Sequence, residues 1–271
     1  MKNFKIDERL FVAGALLLFM GACSLPCLAA DIQVKYSEVY LDGEIRPGDA
    51  ERLAVALSQA RFDVSQLTVN SMGGDVRESL RIAGLVRGTQ LEVKVAKGGF
   101  CVSSCFFIFL DGFSRLAGWA RADGTLPSIE QRKEFFGLVG IHRPYLKSTD
   151  GGSQAIESQE QIMKIIRSHL TLKGVPQYLI DEMMTHPSND VYWLRMRDLE
   201  ALGPYDAGVE EGLIAKCCYK RAGAMVHQNW PIEKMERVSR CSTEYWEQAF
   251  LPLQKKFIAE LKSGQRPWSR K

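Results

Sequence analysis

Histidine is scarce: the 271 residues hold four. No Cys-x-x-Cys or His-x-x-x-His spacing accompanies the seven cysteines, so the donor sets of a structural or catalytic zinc site are missing. No Gly-x-x-x-x-Gly-Lys-Ser/Thr loop occurs, which excludes an ATP site of that kind within the chain. Neither sign of charge dominates. Thirty-five Lys and Arg face 32 Asp and Glu, for a net charge of +3, and the basic residues are scattered until the end of the chain. Nothing here resembles a nucleic-acid footprint, and the stretch Gln265 to Lys271 reads as a frayed end. No repeat of fixed length appears, so a solenoid or propeller is excluded. Neither cofactor nor metal is expected.

What is present begins with a stretch that reads as an export leader. Lys2, Lys5 and Arg9 precede an uncharged run from Leu10 to Ala30 that ends in Cys27-Leu28-Ala29-Ala30. A basic start, an apolar middle and small residues at the end describe an export signal, which Asp7 and Glu8 weaken by diluting the basic start. The run Leu10 to Ala22 is short for a bilayer span, and Ser24 and Pro26 break its continuation. Cleavage near Ala30 and an extracytoplasmic, periplasmic location are the expectation. The alternative is an uncleaved anchor giving membrane attachment through residues 1–30. Cys101, Cys105, Cys217, Cys218 and Cys241 remain in the mature chain, and an oxidising compartment permits disulfides among them. Cys217 or Cys218 could bridge to Cys241. Cys101 and Cys105, four apart, are expected as packed thiols, with a strained bridge or a redox pair as alternatives.

The rest has globular composition, 46% hydrophobic and 25% charged. Strands are expected over 37–45, 66–70, 91–95 and 137–144. Helices are expected over 50–60 with Asp49 as cap, 76–87, from about 104, 157–170 and 176–185. The stretch 119–136 reads as a surface excursion and 147–153 as a connection. A short strand at 191–194, a short helix at 198–202 and a last strand near 206–209 close the core. An amphipathic helix is expected over 246–261. Strand, turn and helix alternate as in an α/β fold with parallel strands.

Between strand 91–95 and the apolar run Phe106-Phe107-Ile108-Phe109-Leu110 lies Gly98-Gly99-Phe100-Cys101-Val102-Ser103-Ser104-Cys105. That order predicts a tight turn and a helix start holding a serine beside free amides, which can bind an anion. Ser103, His142 and Asp190 fall at or beside the ends of expected strands, where α/β folds gather functional groups. A hydroxyl, an imidazole to take its proton and a carboxylate to orient the ring suit acyl transfer. Gly73, Gly74 and the Ser104 amide offer donors for a developing oxyanion. By composition Ser104 is as good a hydroxyl as Ser103. His169, His186 and His227 have no evident partner.

At these positions the chain resembles the proteolytic subunit of the Clp protease and its extracytoplasmic relatives, within the wider crotonase-like fold. The matching stretches are Asn70-Ser71-Met72-Gly73-Gly74-Asp75-Val76, Ser103 with Gly112 nine positions on, and Ile141-His142-Arg143-Pro144. The last is Asp190 before Tyr192-Trp193-Leu194 and Glu200-Ala201-Leu202. Met72 stands where the family usually has proline, and the stretch from Gly112 to His142 is longer. The resemblance implies a spiral of β-β-α and β-α units around a parallel sheet over 31–215, leaving 216–271 as a helical, cysteine-containing extension. It implies a serine endopeptidase acting on peptide or protein substrates. Ser103 would be nucleophile, His142 base and then acid, and Asp190 orienting group, with Gly73, Gly74 and Ser104 as oxyanion donors. It also implies homo-oligomers; with no ATP site in the chain, no ATPase partner is expected. The alternative is an inactive member serving as scaffold or binding module. A weaker one is crotonase-type acyl-thioester chemistry.

Overall fold

A computed structural model describes residues 29–60, 63–145, 153–217 and 232–266. The leader expected over 1–30 lies, up to residue 28, outside the described residues, as do the connection 147–152, Cys218 and His227. Among the described residues no helix is long and apolar enough to cross a membrane.

The chain opens with β1 (Asp31–Lys35) and β2 (Glu38–Asp42), an antiparallel pair. Helix α1 (Asp49–Gln59) leads to β3 (Gln66–Asn70), and α2 (Val76–Thr89) leads to β4 (Glu92–Val95). Asp49 is the first helical residue rather than the cap, which is Gly48. Its buried carboxylate accepts from the Arg46 N–H at 2.9 Å. Asp75 caps α2 by accepting from the Glu78 N–H at 2.7 Å. The buried Glu78 carboxylate in turn accepts from the N–H groups of Gly48 and Ala50 at 3.0 and 2.7 Å. One side chain thereby satisfies orphan donors at the start of the neighbouring helix.

Next come β5 (Phe100–Val102), α3 (Cys105–Leu110), β6 (Arg115–Leu116), α4 (Ile129–Glu134) and β7 (Leu138–Ile141). Helix α4 sits in the expected excursion and starts with a capping box of Ser128 and Gln131. All six residues of α3 are buried. Each of its three phenylalanines contributes roughly 1.5–3 kcal/mol by leaving water. Helix α5 (Ser153–Leu172), α6 (Gln177–Thr185), β8 (Tyr192–Trp193) and α7 (Met196–Leu202) come after these.

Five strands form one sheet in the order β1-β2-β3-β4-β6, parallel from β2 onward. A second sheet runs β5-β7-β8, with β5 and β7 parallel and β8 antiparallel. An isolated parallel bridge between Ser71 and Cys101 ties the end of β3 to β5. The result is a mixed α/β fold with parallel strands flanked by helices.

The strand expected near 206–209 is instead the start of α8 (Ala207–Cys217). Asp206 dictates this, its carboxylate accepting from the Gly208 N–H at 3.1 Å and its carbonyl from the Glu210 N–H at 2.9 Å. The boundary expected at residue 215 therefore falls within a continuous helix. The last helix expected is two, α9 (Ile232–Ala249) and α10 (Leu251–Lys262), with Pro252 in the first turn of α10. A Cys217–Cys241 disulfide joins α8 to α9. Helix α10 packs on α1 and α2, and the Gln254 amide donates to the Thr89 carbonyl at 2.7 Å.

Candidate active site

Three neighbouring parallel segments end together. The Ser71 N–H donates to the Phe100 carbonyl at 2.7 Å, and the Val102 N–H donates to the Ser71 carbonyl at 2.9 Å. On the other side of β5 the register pairs Val102 with Gly140, and the Ser103 N–H donates to the Gly140 carbonyl at 3.0 Å. Strands in one sheet lie about 4.8 Å apart. The turn at Ser103, the residue His142 just past β7, and the Gly73-Gly74 turn are therefore immediate neighbours. All four residues line one cleft of about 750 Å³, which Ile162 and Met163 of α5 also line.

Ser103 has φ +58°, in the left-handed region. A non-glycine residue there carries a cost of roughly 1–2 kcal/mol, and such outliers gather at functional sites. Ser104 does not line the cleft. It is 1% exposed, and its hydroxyl is buried without a hydrogen-bond partner among the described residues. The two serines that composition left equal thus sit in opposite surroundings.

The double-glycine turn is fitted to this serine. Gly73 has φ +94°, and a Cβ there would meet the Val102 carbonyl oxygen at 2.7 Å and Ser103 Cβ at 2.8 Å. Gly74 is bridged to Ile45 through its neighbours: the Ile45 N–H donates to the Gly73 carbonyl and the Asp75 N–H to the Ile45 carbonyl, both at 2.9 Å. Its own N–H, like that of Ser104, has no partner among the described residues. The Gly73 N–H is already engaged, donating to Ser71 Oγ at 3.1 Å. Of the three expected oxyanion donors, Gly74 and Ser104 are free, and Gly73 supplies shape.

His142 is buried, with Nδ1 3.0 Å from the Arg143 carbonyl oxygen. A carbonyl only accepts, so in the neutral ring Nδ1 carries the proton and Nε2 keeps its lone pair. Asp190 is not brought to His142. It is 73% exposed, one oxygen accepts from the Val191 N–H at 2.8 Å, and the other lies 3.4 Å from His186 Nε2. The short turn 186–190 that leaves α6 directs it away, and the Arg143 carbonyl occupies the orienting position. Sequence reading missed this carbonyl because any residue would supply it. It also missed the role of Ser71, although Asn70-Ser71 belongs to the matching motif.

Two other expectations change. Cys101 and Cys105 are not packed thiols but a disulfide across the serine turn, with Cα atoms 5.2 Å apart. Both expected histidines without partners that are described have one. His169 Nε2 lies 2.9 Å from the buried Asp111 carboxylate, and His186 Nδ1 lies 2.9 Å from Glu182. Among the described residues no group of three or more His, Cys, Asp or Glu could hold a metal ion.

No family model matches the chain, and no curated protein matches it in sequence. Solved structures with a related shape include ClpP1 from Listeria monocytogenes, at 18% identity and a TM-score of 0.39 over 62% of this chain and 88% of that one. A point mutant of the same protein gives 20% identity, the same TM-score and the same coverage. A likeness of that size assigns neither family nor activity.

Proposed function

We propose that this chain is an exported, ATP-independent serine endopeptidase of the Clp type, built on the crotonase-like spiral and acting as a homo-oligomer. The observation that carries the reading is Ser103, held left-handed at the end of β5, sharing a cleft with His142 beside two free backbone amides. Ser103 Oγ attacks the scissile carbonyl carbon as His142 Nε2 takes its proton. The Arg143 carbonyl holds the ring in the required tautomer. The Gly74 and Ser104 N–H groups stabilise the tetrahedral oxyanion. His142 then returns the proton to the leaving amine, and water releases the acyl group by the same route. Ile162, Met163 and Met72 give the cleft an apolar wall suited to aliphatic side chains of a peptide.

A fluorophosphonate probe tests the reading on purified protein. Label should be lost in Ser103→Ala and in His142→Ala and kept in Ser104→Ala. Absence of labelling in folded, oxidised protein would turn the assignment over to the second reading, an inactive scaffold or peptide-binding module. That reading is favoured by Asp190, whose carboxylate faces His186 and solvent instead of the imidazole.

A further inference from the structure

We propose that the Cys101–Cys105 bridge is a positioning device for Ser103, so that the reactivity of the serine depends on whether the pair is oxidised. The inference rests on Ser103 being the nucleophile. The bridge spans the serine turn and nothing else. Cys101 lies within β5, paired with Val139 on one side and Ser71 on the other, and Cys105 is the first residue of α3. Between strand and helix stand only left-handed Ser103 and Ser104. Both anchors are fully buried, so the strand and the helix each stay formed without the bridge, which sets the spacing between them.

A ring this small constrains the unfolded chain less than the bridge of sequence separation 24 between Cys217 and Cys241. Its larger effect is local. Ser103 is a residue with a Cβ in a region that glycine alone enters freely, and right-handed or extended backbone would cost it less. The bridge fixes the distance between the ends of the turn and withholds those alternatives. Ser103 then keeps its place in the cleft that His142 also lines, and the Ser104 N–H stays at the helix start.

Because both cysteines are buried, the bridge closes as the chain folds rather than by titration of the folded protein. The two thiols pass two electrons and two protons to a disulfide oxidant, which leaves as two thiols. Chain folded in a dithiol-rich solution has the same strand and helix with a slack serine turn.

The test compares wild type, Cys101→Ala/Cys105→Ala and Cys217→Ser/Cys241→Ser, with wild type refolded in oxidised glutathione or in dithiothreitol. Fluorophosphonate labelling is resolved into its maximal rate and its half-saturating concentration. Release of the turn should lower the maximal rate about five- to thirtyfold, the factor matching the left-handed cost, at unchanged half-saturation. Unfolding the dithiothreitol sample and refolding it in oxidised glutathione should restore it, and the Cys217→Ser/Cys241→Ser protein should label at the wild-type rate. Equal rates with and without the Cys101–Cys105 bridge would overturn the inference. So would an equal loss in both double variants, or a Cys101→Ala/Cys105→Ala protein unfolded by circular dichroism. Folded, oxidised wild type that takes no label would instead sink the peptidase reading, and the inference with it.

Discussion

Gly73 and Ser103 are packed backbone against side chain: any Cβ on Gly73 would fall 2.8 Å from the Ser103 Cβ and 3.1 Å from the Ser104 nitrogen. The double-glycine turn therefore does more than present amides. Its bare surface lets the serine turn approach from β5, and the Ser71 hydroxyl fixes it by accepting from the Gly73 N–H.

Gly73→Ala should consequently damage both the fold and the site. The residue sits at φ +94°, and the atoms its methyl would meet are largely backbone, which cannot swing away. Left-handed strain and overpacking together should cost about 2–4 kcal/mol. Urea denaturation should report that loss, with fluorophosphonate labelling falling at least tenfold. A variant within 0.5 kcal/mol of wild type, in the range of about ±0.5 kcal/mol usual for neutral surface changes, would show that the turn is not fitted as described.

Asp190 and His142 make a sharper distinction. If the Arg143 carbonyl orients the ring, Asp190→Ala should label within about twofold of wild type, whereas removing an aspartate that holds the catalytic tautomer costs on the order of 10⁴. The maximal labelling rate of the folded variant decides. A loss of a hundredfold or more would mean that the turn 186–190 swings Asp190 onto His142 during reaction.

Much of this arrangement was legible in the residues. The alternating patterns at 66–70 and 92–95 and the continuous apolar run at 138–141 became parallel strands because their burial depends on local sequence. Strands β1 and β5 were not legible. The first alternates, with Ile32 and Val34 half-buried against the core, but two apolar residues directly after the expected leader make a short signal. The second has three residues after two glycines and is defined by partners at Ser71 and Leu138–Gly140, distant in sequence. Asp206 shows the same limit. The apolar residues after it fit a strand, but its own side chain caps a helix. The serine, histidine and glycines were readable because their chemistry resides in residue type. The orienting group was not, because a backbone carbonyl has no letter.

Tyr178 offers an alkaline signature. Burial and the Asp198 carboxylate, which accepts its hydroxyl at 3.0 Å, push its pKa up to about 12. A raised phenol favours the neutral form. Its contribution to stability is full below the unfolded value of about 10 and is lost as pH rises through about 12. Phenolate absorbance of wild type minus Tyr178→Phe should therefore appear near pH 12. A difference titrating at pH 10 would mean that the Asp198 contact does not persist in solution.

Gly88 and Phe257 report how α10 is docked. A Cβ on Gly88 would lie 2.2 Å from the Phe257 ring. Alanine favours the helix over glycine by about 1 kcal/mol, while forcing a methyl against the ring costs about 1–3 kcal/mol. Gly88→Ala should thus be destabilising in wild type and stabilising by about 0.5–1 kcal/mol in a Phe257→Ala background. Urea midpoints of the four proteins close the cycle. The same sign in both backgrounds would mean that α10 does not rest on α2.

Asp111 joins α3 to α5 and, through Lys173, to Asp206 before α8, and its charge contributes to stability in acid. Its carboxylate is fully buried, with Arg87 at 3.2 Å, His169 Nε2 at 2.9 Å and Lys173 alongside, the lysine also reaching Asp206 at 2.8 Å. Burial pushes the carboxyl up, but His169 and Lys173 outweigh it and hold Asp111 below the usual carboxylate value. A lowered folded value means that the contribution is full above the unfolded value of about 3.9 and is lost as pH falls through the folded one. Asp111→Asn should therefore cost about 2–3 kcal/mol near neutrality, typical of charged hydrogen bonds, and progressively less below about pH 4. Urea unfolding of both proteins at pH 7 and pH 3 measures the difference. A cost that stays constant between the two would show that the asparagine disturbs packing, and that the charge network around Asp111 does not stabilise the fold.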